Sequence, residues 1–250
     1  MMPYTTDRVE LKLRAKDAMK KAAPNIFLVA FVCLLLTNLP TFVTEGPTLR
    51  LMLKADSLEE MMYIYENGGA AVTGGILLTL ATFAMSIFLN LVTCGWQLYA
   101  LRASREEETG GLETLFACFQ QFWRFLSAIL LMGLFTALWT MLFIIPGIVA
   151  IYAYSQTIYI MLDHPEMSAM EAIAASKQMM RGHKAELLVL ELSFIGWAIV
   201  AGFTFGILLI WLEPYMQVSR ANFYNAVSNW QPYVAPEPDV TAAPEEWWKQ

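Results

Sequence analysis

Charged residues are scarce in this 250-residue chain. They make up 15% of it, against roughly 25% in ordinary soluble domains, while apolar residues make up 57%. The core of a soluble domain of this length is too small to bury so much apolar surface. The composition therefore excludes an ordinary soluble domain and predicts a membrane protein. The net charge of −6 does not oppose this, because orientation in a membrane follows the positions of Lys and Arg.

Cysteine and catalytic motifs are also few. The three cysteines are an odd number without metal-ligand spacing, which argues against disulfides or zinc and predicts small buried residues. The sequence contains no H-E-x-x-H, G-x-S-x-G or phosphate-binding glycine loop. Ser193 and His183 are ten residues apart, about 15 Å along a helix, too far for a nucleophile and its base. We therefore expect no metal, no cofactor and no enzymatic activity.

The longest apolar stretch runs from Gln121 to Leu162, and Arg124 is its only charged residue. As one helix it would extend roughly 60 Å, twice the ~30 Å hydrocarbon core of a membrane. The sequence therefore predicts two crossings that fold back at a hairpin break formed by Pro146 and Gly147.

Further apolar segments predict an all-α membrane protein, a bundle of six crossings with short interfacial helices. We expect the crossings at about 24–43, 71–101, 124–144, 148–162, 186–203 and 207–227. The last two form a second hairpin that turns at residues 204–206. If they were instead one long tilted helix, the count would be five.

The remaining segments lie outside the crossings. Residues 1–23 predict a cytoplasmic amphipathic helix that leads into the bundle 24–228, with Leu11, Ala15, Ala18 and Ala22 as its apolar stripe. Residues 45–70 form an external loop. The acidic, proline-rich tail 229–250 lacks the apolar residues needed for fixed structure.

The polar segment 163–184 predicts a short cytoplasmic helix. Ser168 and Glu171 have the spacing of a capping box, and Gly182 stands where such a helix stops. We expect four residues here to form a rim that contacts lipid headgroups: Lys177, Arg181, His183 and Lys184.

The distribution of Lys and Arg predicts the orientation. They concentrate in the first 23 residues, in 102–124 and in 163–184, whereas the alternate side receives only Arg50 and Lys54. Positively charged loops stay in the cytoplasm, so both termini are expected there in a bacterial cytoplasmic membrane.

Ionisable residues at membrane depth are the candidate functional residues, because an unpaired charge there is costly. In a hairpin that turns near residue 204, Glu191 lies almost level with Arg220, and we predict that they pair. Three roles are open for such a pair: it locks two helices together, it couples the movement of protons or ions, or it contacts lipid headgroups. Arg124 is a further candidate.

Glu213 lies deeper and precedes Pro214, which frees a backbone carbonyl. Its carboxyl is expected either to hydrogen-bond with Ser193 or a neighbouring helix, or to line a polar cavity. Three uncharged polar residues within the apolar helices would join that cavity: Asn90, Gln97 and Gln156.

Several motifs stand in a fixed order between Ile145 and Tyr224: Ile145-Pro146-Gly147, Tyr154-Ser155, the Ser168-to-Glu171 helix start, Ser176-Lys177, Gly182-His183-Lys184, Ser193 to Trp197, Pro214-Tyr215 and Ala221 to Tyr224. With these motifs the region resembles the bacterial integral membrane family known as domain of unknown function 975. The charged N-terminal helix and the aromatic segment LFACFQQFW also fit this family, so the resemblance covers most of the chain, apart from the 45–70 loop and the acidic tail. This family has no assigned function. It is distantly similar to membrane domains that accompany glycerophosphodiester phosphodiesterases in some bacteria. The resemblance therefore implies at most a role connected with membrane lipids.

Two functions remain open at this point. The first is a non-catalytic membrane protein that acts through contact with membrane phospholipids, a partner protein or further copies of itself, and not with nucleic acid. The second is a small transporter or permeation-path protein that uses Glu191, Glu213 and Arg220.

Overall fold

The computed structural model describes residues 6–22, 25–37, 57, 59–60, 62–63, 75–204 and 206–228. These residues form helices and turns and contain no β-strand. The helices are α1 (Arg8–Ala22), α2 (Asn25–Thr37), α3 (Gly75–Ser104), a 3-10 segment (Leu112–Gln121) that continues into α4 (Phe122–Leu142), α5 (Ile144–Tyr154), α6 (Thr157–Asp163), α7 (Ala169–Met179), α8 (Lys184–Phe203) and α9 (Leu209–Val227). The predicted all-α class is confirmed for this part of the chain.

Within the described residues, four helical stretches are long and apolar enough to cross a membrane. They are Thr82–Ser104, Leu112–Leu142, Ile144–Asp163 and Lys184–Phe203. The axes of α1 and α2 differ by 100°, and the two helices count as a fifth stretch if they are one bent span. Helix α9 is not among these stretches. The apolar helices are therefore compatible with a membrane protein that has four or five crossings by length and composition.

The hairpin between α4 and α5 turns at Phe143, three residues before the predicted break. Phe143 has extended backbone angles, φ −157° and ψ 146°, and it separates the two helices. Pro146 lies instead in the first turn of α5, where a missing N–H leaves no helical hydrogen bond unmade. Gly147 lets the helices approach, since a Cβ atom there would come within 2.2 Å of the Thr140 hydroxyl.

The predicted fourth crossing is not one continuous helix. It breaks at Ser155 and Gln156, between α5 and α6. The hydroxyl of Ser176 in α7 donates to the Ala153 carbonyl at 2.9 Å and accepts from the Gln156 N–H at 3.2 Å. This side chain satisfies backbone groups that the break releases.

Several local predictions agree with the structure. The turn after α8 includes Thr204 and Gly206, and Gly206 has a φ of 81°. Helix α7 begins with the predicted capping box, in which Ser168 and Glu171 bond each other's backbone N–H. All three cysteines are buried and free. The loop 45–70, apart from residues 57, 59–60 and 62–63, lies outside the described residues, as does the tail 229–250.

Helix α9 occupies the centre of the bundle and packs against α1, α3 and α8. Most of its residues are buried, including four polar ones: Gln217, Ser219, Asn222 and Asn225. The apolar stripe of α1 packs against it, and the Asn222 amide donates to the Leu11 carbonyl at 3.3 Å. Helix α1 is thus a packed part of the bundle.

Candidate functional site

The predicted pair of Glu191 and Arg220 is present. A guanidinium nitrogen of Arg220 lies 3.1 Å from the Glu191 carboxylate, and the two side chains are 37% and 31% exposed. The hydroxyl of Tyr152 donates to the same carboxylate at 3.0 Å. The three side chains therefore join α5, α8 and α9 in a triad that is open on one side.

Glu213 is not hydrogen-bonded to Ser193. The Ser193 hydroxyl donates to the Leu190 carbonyl of its own helix, a common way for serine to satisfy itself inside a helix. Glu213 is half-buried, and within the described residues its carboxylate makes no hydrogen bond or ion pair. The prediction of a Ser193–Glu213 bond is wrong.

The uncharged polar residues proposed to join Glu213 do not form one group. Asn90 is exposed on α3 and donates to the Ser86 carbonyl at 2.8 Å, so the expectation that it faces the interior is wrong. Gln156 is buried at the α5–α6 break and donates to the Ser155 hydroxyl at 2.9 Å. Oxygen atoms of Gln97 and Gln156 are buried without a hydrogen-bond partner in the described part of the chain.

Arg124 binds the end of another helix. Its guanidinium donates to the carbonyl oxygens of Met161, His164 and Met167 at 2.9, 2.6 and 3.0 Å. These carbonyls lie at the C-terminus of α6 and in the turn that follows, where backbone acceptors lack helical partners and a cation is favoured. Arg124 therefore anchors the start of α4 to α6, which is a structural task.

The four residues of the predicted rim lie around the turn between α7 and α8. Lys177 and Arg181 are exposed, whereas His183 and Lys184 are half-buried. His183 Nδ1 lies 2.8 Å from a carboxylate oxygen of Glu186 on its own side of the turn. The histidine thus has a local partner, and its hydrogen bond does not involve Ser193.

A polar network not anticipated from the sequence centres on Arg105. Its side chain is only 8% exposed and binds both carboxylate oxygens of Asp163, at 2.7 and 2.6 Å. It also donates to Asn225 at 3.0 Å, while the Tyr224 hydroxyl donates to Asp163 at 2.8 Å. Asn225 donates in turn to Ser104 at 2.9 Å.

This network ties the ends of α3, α6 and α9 together with two-pronged geometry, which is the strongest form of an Arg–carboxylate contact. The sequence held one usable signal, since Arg105 and Asp163 each lie at the end of an apolar segment. Pairing them required knowing that these two helix ends meet. The arrangement positions the ends of these three helices.

Among the described residues, no group of three or more His, Cys, Asp or Glu side chains lies close enough to hold a metal ion. Three polar sets that join different helices stand out in the described part of the chain. They are the triad of Tyr152, Glu191 and Arg220, the Arg105 network, and the Arg124 cap of α6.

No curated protein and no solved structure matches the chain. Residues 141–231 match the model of a family described as protein of unknown function (DUF975). That stretch contains the hairpin turn at Phe143, helices α5 to α9 and the motifs between Ile145 and Tyr224, whereas the N-terminal helix and the aromatic segment 115–123 lie outside it. Over residues 141–231 the chain is thus a match to the DUF975 family, as its motifs predicted.

Proposed function

We propose that this chain is an integral protein of a bacterial cytoplasmic membrane that is not an enzyme and acts through contact with lipids or a partner protein. One observation carries the proposal, the inverted polarity of the bundle. Helices α4 and α8 expose apolar side chains, whereas the polar side chains of α9 are turned inward. Such a surface suits lipid, and the inward polar groups join helices where lipid offers no hydrogen bonds.

Six crossings with both termini in the cytoplasm complete the proposal. Contacts among the basic segments support this orientation. The Lys21–Glu106 pair joins α1 to the 102–124 region. The Arg105 network joins that region to Asp163 and to the end of α9, and the Arg124 cap joins it to His164. The described residues of the two hairpin tips, 141–145 and 203–204 with 206–207, carry no charged residue, which suits the opposite face of the membrane.

Cysteine labelling tests this orientation. In a background without the three native cysteines, Ile144→Cys and His164→Cys are expected to react from opposite faces of the membrane. A membrane-impermeant maleimide should modify position 144 in intact cells and position 164 in inverted vesicles. Modification of position 164 from outside intact cells would overturn the orientation.

Native mass spectrometry of the protein extracted with its lipids tests the mode of action. We expect the purified protein to retain a bound phospholipid or a bound protein partner. If extraction in several mild detergents gives only monomers without bound lipid or protein, action through stable contact with either is contradicted.

A transporter is the second candidate, and the partial exposure of the Glu191–Arg220 pair favours it. This ion pair lies within apolar helices and is still about one-third exposed, and Glu213 on the same helix as Arg220 has no partner among the described residues. Such groups are expected along a water-filled path for protons or ions. Proton flux into liposomes that contain the protein and a pH-sensitive dye is the measurement. Transport predicts flux that Glu213→Gln or Glu191→Gln reduces, and absence of flux above that of empty liposomes contradicts it.

A further inference from the structure

Helix α1 carries two sets of basic residues that differ in their partners. One set is ion-paired: Arg14 with Glu10, Lys20 with Asp17, and Lys21 with Glu106. The other set makes no ion pair within the described part of the chain: Arg8, Lys12 and Lys16. We call these three residues the unpaired basic stripe.

The stripe lies on one face of α1. Its members are four residues apart, and side chains at that spacing stand one above the other on a helix. Like charges at this spacing repel and destabilise the helix. A bound anion would remove that repulsion, and no carboxylate of the described residues takes that place.

Lys12, the middle member, fixes where the stripe meets the rest of the bundle. Its ammonium donates to the Ser193 carbonyl at 3.4 Å and stands 4.2 Å from the centre of the Phe194 ring. Both contacts are with α8, so the positive charge is held against that helix. Neither contact neutralises it, and Lys12 keeps donor capacity for an anion.

Helix α8 exposes Leu188, Val189 and Leu192 before this point and is left uncovered on every side by the described residues just beyond it. Phe194 is buried, whereas every residue from 195 to 200 is exposed. Ile195, Trp197 and Ile199 are 48%, 56% and 58% exposed, so this half of the helix presents an apolar surface that the described residues leave uncovered. Lys12 thus adjoins an apolar helix surface, and Arg8 and Lys16 stand one turn away on either side of it along α1.

We propose that the unpaired basic stripe binds the phosphate of an anionic phospholipid whose acyl chain lies along the exposed half of α8. A phospholipid has this arrangement, a negative group joined to an apolar chain. A zwitterionic lipid is a poorer ligand, because its own ammonium group competes with the stripe for the phosphate. The inference rests on the proposed function and specifies the lipid class and the place where it binds.

Native mass spectrometry with added lipid tests the site. Purified wild-type protein in a delipidating detergent is titrated with phosphatidylglycerol or, separately, with phosphatidylcholine. We expect tighter binding of phosphatidylglycerol, and each neutralised cation of the stripe should weaken that binding by about fivefold. The test variant is Arg8→Gln/Lys12→Gln/Lys16→Gln.

The same helix provides a matched control, Arg14→Gln/Lys20→Gln/Lys21→Gln. It removes the same charge from ion-paired positions and should keep most of the preference for phosphatidylglycerol. A second variant, Arg8→Lys/Lys12→Arg/Lys16→Arg, retains the charge and should keep the preference while showing that substitutions at these positions are compatible with folding.

Two outcomes would overturn the inference. In one, wild-type protein binds both lipids equally; in the other, both neutralising variants lose the preference to the same extent, which indicates a general charge effect. Failure of the proposed function is separable, because it appears as release of the wild-type protein from membranes by alkaline carbonate. A protein that resists extraction and yet shows no phosphatidylglycerol preference contradicts only the lipid site.

Discussion

Helices α4 and α9 have opposite compositions and opposite burial. Helix α4 is almost wholly apolar, yet Leu138 is 56% and Met141 is 90% exposed. Helix α9 contains Gln, Ser and Asn side chains, yet Asn222 is 1% exposed and most of its neighbours are buried. In a protein surrounded by water the two helices would exchange places.

The difference shows what each helix touches. Apolar side chains do not drive helices together in lipid, whereas buried polar side chains bond across helices and small residues allow close approach. Helix α9 and the end of α3 carry such cross-helix bonds, and the far part of α4 has none in the described structure. The polar centre is therefore expected to hold the bundle together, and substitutions in the two regions should differ in cost.

Arg105→Ala should have the largest effect. It leaves the Asp163 carboxylate, whose side chain is 19% exposed, without its cation, and breaking a largely buried ion pair costs about 3–5 kcal/mol. Thermal unfolding of the purified protein in detergent is the measurement. Arg102→Ala, three residues earlier and without an ion pair in the described structure, is the control and should shift the transition little. Equal shifts for the two variants would mean that the network does not stabilise the bundle.

A leucine pair on one continuous helical stretch comes next. Leu115 is fully buried and Leu138 is exposed. Leu115→Ala should lower the free energy of unfolding by about 2–5 kcal/mol, because it leaves a cavity. Leu138→Ala removes the same atoms from a surface open to detergent and should change stability far less. The comparison fails if Leu138→Ala is as costly as Leu115→Ala.

A glycine pair sharpens the contrast further. A Cβ atom on Gly95 would come within 2.1 Å of the Leu115 carbonyl oxygen, so Gly95→Ala should cost about 1–3 kcal/mol by forcing α3 from the 3-10 segment. Gly133 on α4 has open space around it. Gly133→Ala should be neutral or slightly stabilising, because alanine is the better helix former. A destabilised Gly133→Ala protein would indicate that a neighbour covers α4.

The capping box of α7 should give the smallest effect. Ser168→Ala removes the N-cap and should cost about 1 kcal/mol. Hydrogen bonds from the backbone N–H and the hydroxyl of Ser168 lower the pKa of Glu171. Its contribution is therefore present above the pKa of the unfolded chain and is lost as the pH falls through the lower pKa of the folded protein.

Thermal unfolding from neutral to acidic pH tests this sign. The wild-type protein should lose the Glu171 contribution on acidification, and Ser168→Ala should lose less because the bonds to Ser168 are partly gone. A pH dependence that is identical in the two proteins would contradict the assignment to this capping box.

Much of the local structure was accessible from the sequence. Helix α7 begins at the capping box and α8 ends before Gly206, because such signals act within a few residues of where they stand. The pairing of Glu191 with Arg220 also followed from counting residues on either side of a short turn. The turn at Phe143 was misplaced by three residues, since proline is equally at home in the first turn of a helix.

Other features were beyond local reasoning. Asn90 turned out to face outward and to bond its own helix, and Arg124 turned out to bind carbonyls some forty residues away. Both outcomes depend on which helix lies next to the residue. A hydropathy pattern does not contain that information, because it registers how apolar a stretch is and not what packs against it.

By itself, the amino-acid sequence determined that the described part of the chain is helical, that most of its helices are too apolar for water, and where α7 begins and α8 ends. Those properties arise from hydrogen bonds and side-chain contacts within one or two helical turns. Only the tertiary structure decided that the polar α9 lies at the centre, that Arg105 and Asp163 meet, and that Arg8, Lys12 and Lys16 form no ion pair with any described residue. Those properties arise from contacts between residues far apart in the chain, and the packing of whole helices selects them.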